Sequence, residues 1–130
     1  MKVGGRDVPP PAAALLLLSL LAGCRQNPDE TAQKSRETID SWSSTVTMAG
    51  RQWVGGRVPD LFLRQVLQAA EESLGEQPRS LEKIPPADTR REQLERRLAA
   101  VRARVGQMSA GLERRDRGAV AALLDGGGDS

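Results

Sequence analysis

The sequence predicts an all-α fold, an antiparallel helical hairpin or a small three-helix bundle with coiled-coil-like seams. Three observations predict it. Apolar residues recur at spacings of three and four over three separate stretches, which places them on one face of a helix. Glycine and proline cluster between those stretches, at Gly55-Gly56 with Pro59 and again at Pro78, Pro85 and Pro86. Each stretch also opens on residues able to cap a helix: Asp29 or Thr31, Asp60, and Asp88 or Thr89.

The first helix is expected over residues 29–54. Ile39, Trp42, Val46, Ala49 and Trp53 form its seam. Trp42 and Trp53 are eleven residues apart, close to three full turns, so both fall on one stripe. Ser41 to Thr47 is rich in Ser, Thr and Val, whose helix propensity is modest, so packing has to sustain this helix. Gly55-Gly56 can end it, Pro59 lacks a backbone donor, and the chain should then pass through a kink or a tight corner.

A second helix is expected over residues 60–74, with Leu63, Val66, Leu67, Ala70 and Leu74 on one face. Gly75 to Ala87 reads as a linker, because its three prolines oppose a continuous helix, and Leu81 and Ile84 should pin it to the body. The third helix, over residues 88–117, has the clearest repeat. Leu94, Leu98, Val101, Val105, Met108 and Leu112 step by four and three over nearly three heptads. Thr89 with Glu92 fits a capping box, and Asp88 competes as the cap. Gly106 and Gly111 each lower its intrinsic stability by about 1 kcal/mol relative to Ala, and they would permit close helix approach. Residues 119–130, which contain a run of three glycines, are expected to be a flexible tail.

Charge is more informative in its distribution than in its total. The formal net charge is only +2. Residues 29–77 carry five basic and eight acidic groups, whereas residues 88–117 carry nine Arg and five acids. Two such segments should lie against each other; the alternative is that the Arg-rich segment faces anionic lipid headgroups. A near-balanced total gives no footprint for nucleic acid.

The N-terminal segment carries a different message. Lys2 and Arg6 precede an apolar run, Ala12 to Ala22, in which Ser19 is the only polar residue and Leu fills six of eleven positions. Eleven helical residues reach about 16 Å, half of a bilayer's hydrocarbon thickness, so the run is too short to span and has the length of a signal-peptide core. It closes on Leu21-Ala22-Gly23-Cys24, which contains the single cysteine. This tetrapeptide resembles the lipobox of bacterial lipoproteins. The resemblance covers residues 1–24 only. It implies diacylglyceryl transfer to the Cys24 sulfur, cleavage between Gly23 and Cys24, and acylation of the new amino group. Residues 1–23 would be removed, and residues 24–28 would be a short lipidated tether to a helical domain over residues 29–118. Two or three acyl chains suffice for stable anchoring where one is marginal. Arg25, rather than Asp, follows the cysteine, which in a Gram-negative cell favours the outer membrane.

With one cysteine the mature chain forms no internal disulfide, and with no histidine it lacks the usual general base and the commonest metal ligand. The expectation is a non-catalytic protein without a cofactor, held at the membrane outside the cytoplasm, serving as an adaptor, spacer or accessory subunit. Its partners would be the membrane, through the lipid, and a protein or a second copy through the helical seams. The alternative is a lipid-tethered module binding a peptide or lipid in an apolar groove between helices. Trp42 and Trp53 are the candidate partner contacts, set against a plain core role. The acids Glu92 and Glu95 are better explained as ion pairs with Arg96 and Arg91 than as paired catalytic carboxylates.

Overall fold

A computed structural model describes residues 27–126. They form four helices: α1 (Pro28–Val54), α2 (Asp60–Leu81), α3 (Thr89–Glu113) and α4 (Arg117–Gly126). The first three make an up-down-up bundle, and α4 packs back against α1 and α3. The start of α1, at Thr31, Ser35 and Thr38, meets the end of α2, at Gln77 and Ser80, so these helices are antiparallel. Arg90 and Arg97 of α3 reach Asp29 and Asp40 of α1 in the same order, so α1 and α3 are parallel.

The cap of α1 is Asn27, not Asp29 or Thr31. Its Oδ1 accepts the Asp29 N–H at 2.7 Å, and Pro28 occupies the first turn, where no backbone donor is needed. In the Ser/Thr-rich stretch, the Thr45 and Thr47 hydroxyls donate to the carbonyls of Ser41 and Ser43, which satisfies them within the helix. The helix closes in a Schellman turn. Gly56 takes the left-handed conformation at φ 73°, and the Arg57 N–H returns to the Gln52 carbonyl at 2.8 Å. The chain therefore reverses fully at residues 55–59 and does not merely kink.

Two boundaries differ from expectation: α2 runs on beyond residue 74, and α3 ends at Glu113 and not at residue 117. α2 continues past Leu74 to Leu81, through both Gly75 and Pro78, leaving a linker of only seven residues, 82–88. An interior proline costs about 3 kcal/mol. Leu81 and Ile84 are fully enclosed, and burying each contributes about 1.5–3 kcal/mol, enough together to offset the proline. Asp60 begins α2 without capping it, because its carboxylate is turned to Trp53 instead. At α3 the competition resolves in favour of Asp88, which accepts the Arg90 N–H at 2.9 Å.

The segment expected to be a flexible tail from residue 119 is, up to Gly126, a docked helix. Asp116 caps it by accepting the Ala119 N–H at 2.9 Å, and Val120 and Leu124 are buried. Two glycines allow that docking. A Cβ on Gly111 would stand 2.8 Å from the Val120 side chain, and one on Gly50 would stand 2.6 Å from the Met108 methyl and 3.3 Å from Leu124. Gly106 faces open space and makes no close approach.

The seams read from the sequence form one continuous core. Ile39, Val46, Trp53, Leu63, Leu67, Leu74, Val105 and Met108 are fully enclosed, while Trp42 and Val66 pack against its edge.

Candidate functional site

Gly23 and Cys24, the proposed cleavage and lipidation site, lie outside the described residues. Of the two candidate partner contacts, Trp53 is wholly enclosed and offers no face to a partner. Its indole N–H donates to the Asp60 carboxylate at 2.7 Å, the Arg117 guanidinium lies 4.6 Å from the ring centroid, and Arg117 Nε donates to the Trp53 carbonyl at 3.2 Å. This is a structural clasp at the end of α1. It joins α2 and α4 to the bundle through a hydrogen bond and a cation–π contact. The Trp53 hydrogen bond, reinforced by the charges of Arg115, Arg117 and Arg64, holds the Asp60 carboxyl below its usual range. Trp42 is half-buried at the core edge.

The oppositely charged segments meet along the α1–α3 seam. α3 presents Arg90, Arg97 and Arg104 at seven-residue intervals, a single stripe flanking its apolar seam. Arg90 bonds Asp29 at 2.8 Å and Asp88 at 2.7 Å, contacts that hold its guanidinium more firmly charged than usual. Arg97 bonds Asp40 at 2.7 Å. Beyond Asp40 and Arg97 the pattern fails: seven residues on, α1 has Thr47 and α3 has Arg104, both lining one groove, and the following charge on α1 is Arg51.

That failure coincides with a groove of about 700 Å³ bounded by α1, α3 and the end of α4. Four arginines line it: Arg51, Arg57, Arg97 and Arg104. Ser43, Ser44, Thr47 and Gln52 add hydroxyl and amide groups, and Met48, Ala100, Val101 and Leu124 supply an apolar wall. Among the described residues no carboxylate lines it. Arg97 is answered by Asp40, but among the described residues no acid lies within ion-pair distance of Arg51, Arg57 or Arg104. Burial, and then the neighbouring Arg51 charge, push the Arg104 guanidinium below its ordinary value. The Nε–H of Arg104 is shielded from solvent and has no acceptor, the one such side-chain group among the described residues. An unsatisfied buried donor of this kind costs about 1–3 kcal/mol, more when charged.

Sequence reasoning did not single out these arginines. The signal was present as a seven-residue Arg stripe, but its mismatch with α1 emerges only once the register between two distant helices is known. The inter-helix groove is accordingly cationic on one side, not uniformly apolar. The carboxylates considered for hydrolysis behave as surface pairs: Glu92 with Arg96, and Glu95 with Arg91 at 3.6 Å. Among the described residues no three His, Cys, Asp or Glu side chains converge as a metal set, and no helix is long and apolar enough to cross a membrane. The sequence matches no family model and no curated protein, and no solved structure matches this chain.

Proposed function

We propose that this chain is a lipid-anchored, non-catalytic helical protein of the bacterial cell envelope, acting as an adaptor or accessory subunit. The observation that carries this reading is the Leu21-Ala22-Gly23-Cys24 tetrapeptide at the end of an apolar run too short to span a bilayer. The bundle supports it in two ways. Its seams are filled internally, as befits a domain that folds by itself at the end of a tether. Its only large exposed apolar side chains outside the groove, among the described residues, are Leu61 and Phe62. They sit at the start of α2, at the far end of α1 from Asn27. With 27 residues, α1 is about 40 Å long. Anchoring at Cys24 would therefore hold this apolar pair well away from the membrane, where a protein partner could meet it.

The test is metabolic labelling. Wild-type protein should incorporate labelled fatty acid and partition with membranes, and Cys24→Ser should lose both properties. Continued labelling of the Ser variant, or a wild-type protein without label, would overturn the anchor. Co-purification of the anchored protein with its neighbours, compared with a Leu61→Ser/Phe62→Ser variant, tests the adaptor role. Loss of partners in that variant is the expected result.

A further inference from the structure

The geometry points to a binding site for a phosphate ester in the groove between α1 and α3, held by Arg104 with Arg51 and Arg57. The ladder along the seam carries the argument. Where α1 supplies an acid, at Asp29 and Asp40, the facing arginines of α3 are bonded at 2.8 and 2.7 Å. One heptad beyond Asp40 and Arg97, the acid gives way to Thr47, and Arg104 is left with a shielded, acceptorless Nε–H. Instead of a counter-charge, α1 brings a second guanidinium, Arg51, close enough to disfavour the charge on Arg104. Arg57, just after the Schellman turn, lines the same groove.

Three guanidiniums without an acid, gathered about one concavity, demand an anion from outside. A tetrahedral phosphate suits them better than a carboxylate. It offers more oxygens, carries up to two negative charges, and accepts the paired N–H donors of arginine in bidentate fashion. The volume of about 700 Å³ greatly exceeds what a bare ion needs and falls within the range of small-molecule sites. The remaining lining fits an esterified group: Ser43 and Ser44 for a hydroxylated headgroup, and Met48 and Leu124 for apolar carbons. Two sources share this chemistry, a phospholipid headgroup and a soluble phosphate ester. The inference does not depend on Cys24.

Calorimetric titration of the full chain in non-ionic detergent tests it, at low ionic strength. One arm uses sn-glycerol 3-phosphate. The other uses micelles doped with phosphatidylglycerol, against micelles doped with phosphatidylcholine. Saturable binding is expected in at least one arm. Binding of the glycerol phosphate identifies a soluble ester as sufficient, and binding only to phosphatidylglycerol identifies the lipid headgroup. Arg104→Gln and Thr47→Asp should each weaken that binding at least ~10-fold, the second by supplying the missing acid internally. Arg96→Gln, on a solvent-facing pair with Glu92, should leave it unchanged. Circular dichroism checks that each variant is folded. If Arg104→Gln is not, Thr47→Asp alone decides, since it leaves every arginine in place and gives up only one methyl and the Thr47 hydroxyl bond to Ser43. No saturable binding in either arm, or binding undiminished in folded Thr47→Asp, overturns the site.

Discussion

The two halves of the α1–α3 seam share a backbone geometry and differ in charge. In the half nearest Asn27, arginines of α3 meet aspartates of α1, and each cation has its partner. In the half nearest α4, the stripe of arginines continues but the aspartates do not. The first half locks helix to helix. The second leaves a guanidinium half-buried without an internal partner, beside a groove large enough for a ligand. One heptad step, from Asp40 to Thr47, separates an interface from a candidate site. Residue types alone do not mark the site, because its informative feature is an acid that is missing.

The largest effect is expected at α4, whose Leu124 forms the end wall of the groove. Gly111→Ala should drive a methyl into Val120 and destabilise the protein by about 1–3 kcal/mol, measured by urea unfolding, with α4 loosened. Gly106→Ala, five residues earlier on the same helix but facing open space, should instead stabilise it by up to about 1 kcal/mol. Equal effects from the two substitutions would mean that α4 does not dock as described.

The Trp53 clasp at the same end is sensitive to acid. The Asp60 carboxyl lies below its ordinary value in the folded protein, so its contribution is present above the unfolded carboxylate pKa. It is lost as pH falls through the depressed folded value. Asp60→Asn should accordingly lower the melting temperature at neutral pH, with the deficit closing in acid. A deficit independent of pH would assign the loss to shape and not to charge.

Two smaller effects sharpen the contrast between the halves. Thr47→Asp should extend the ladder and raise stability by up to about 1 kcal/mol, the scale of a partly exposed ion pair. Asp40→Ala should cost a similar amount in the other half, because both members of its pair with Arg97 are nearly half-exposed. Asp40→Ala should also strengthen phosphate binding, since Arg97 already lines the groove and would be released into it. Thermal melts with and without sn-glycerol 3-phosphate read both consequences in one experiment.

Much of this architecture is legible in the sequence because it is local. The Leu94-to-Leu112 repeat states the buried face of α3, and the Ile39-to-Trp53 repeat states that of α1. The departures are tertiary in origin. Pro78 reads as a helix breaker on propensity, yet α2 passes through it because Leu81 and Ile84 find the core beyond it. Val120 and Leu124 look too few to hold a helix, until Gly50 and Gly111 provide close approach. Arg115 shows the same override: it adopts the left-handed conformation, φ 52°, in the turn that returns α4 to the bundle, where glycine would be the unstrained choice. The cationic groove belongs to this second kind, since it depends on which residues of α1 and α3 share a level.

The most direct measurement is a ¹⁵N-resolved spectrum of the arginine Nε–H groups during titration with sn-glycerol 3-phosphate, or with phosphatidylglycerol in micelles if that is the ester that binds. The Arg104 Nε–H should shift as the ester saturates the protein, while that of Arg90, outside the groove and held by Asp88, stays in place. Equal shifts at Arg90 and Arg104, or no shift at Arg104, would contradict the division of the seam into a locked half and a binding half.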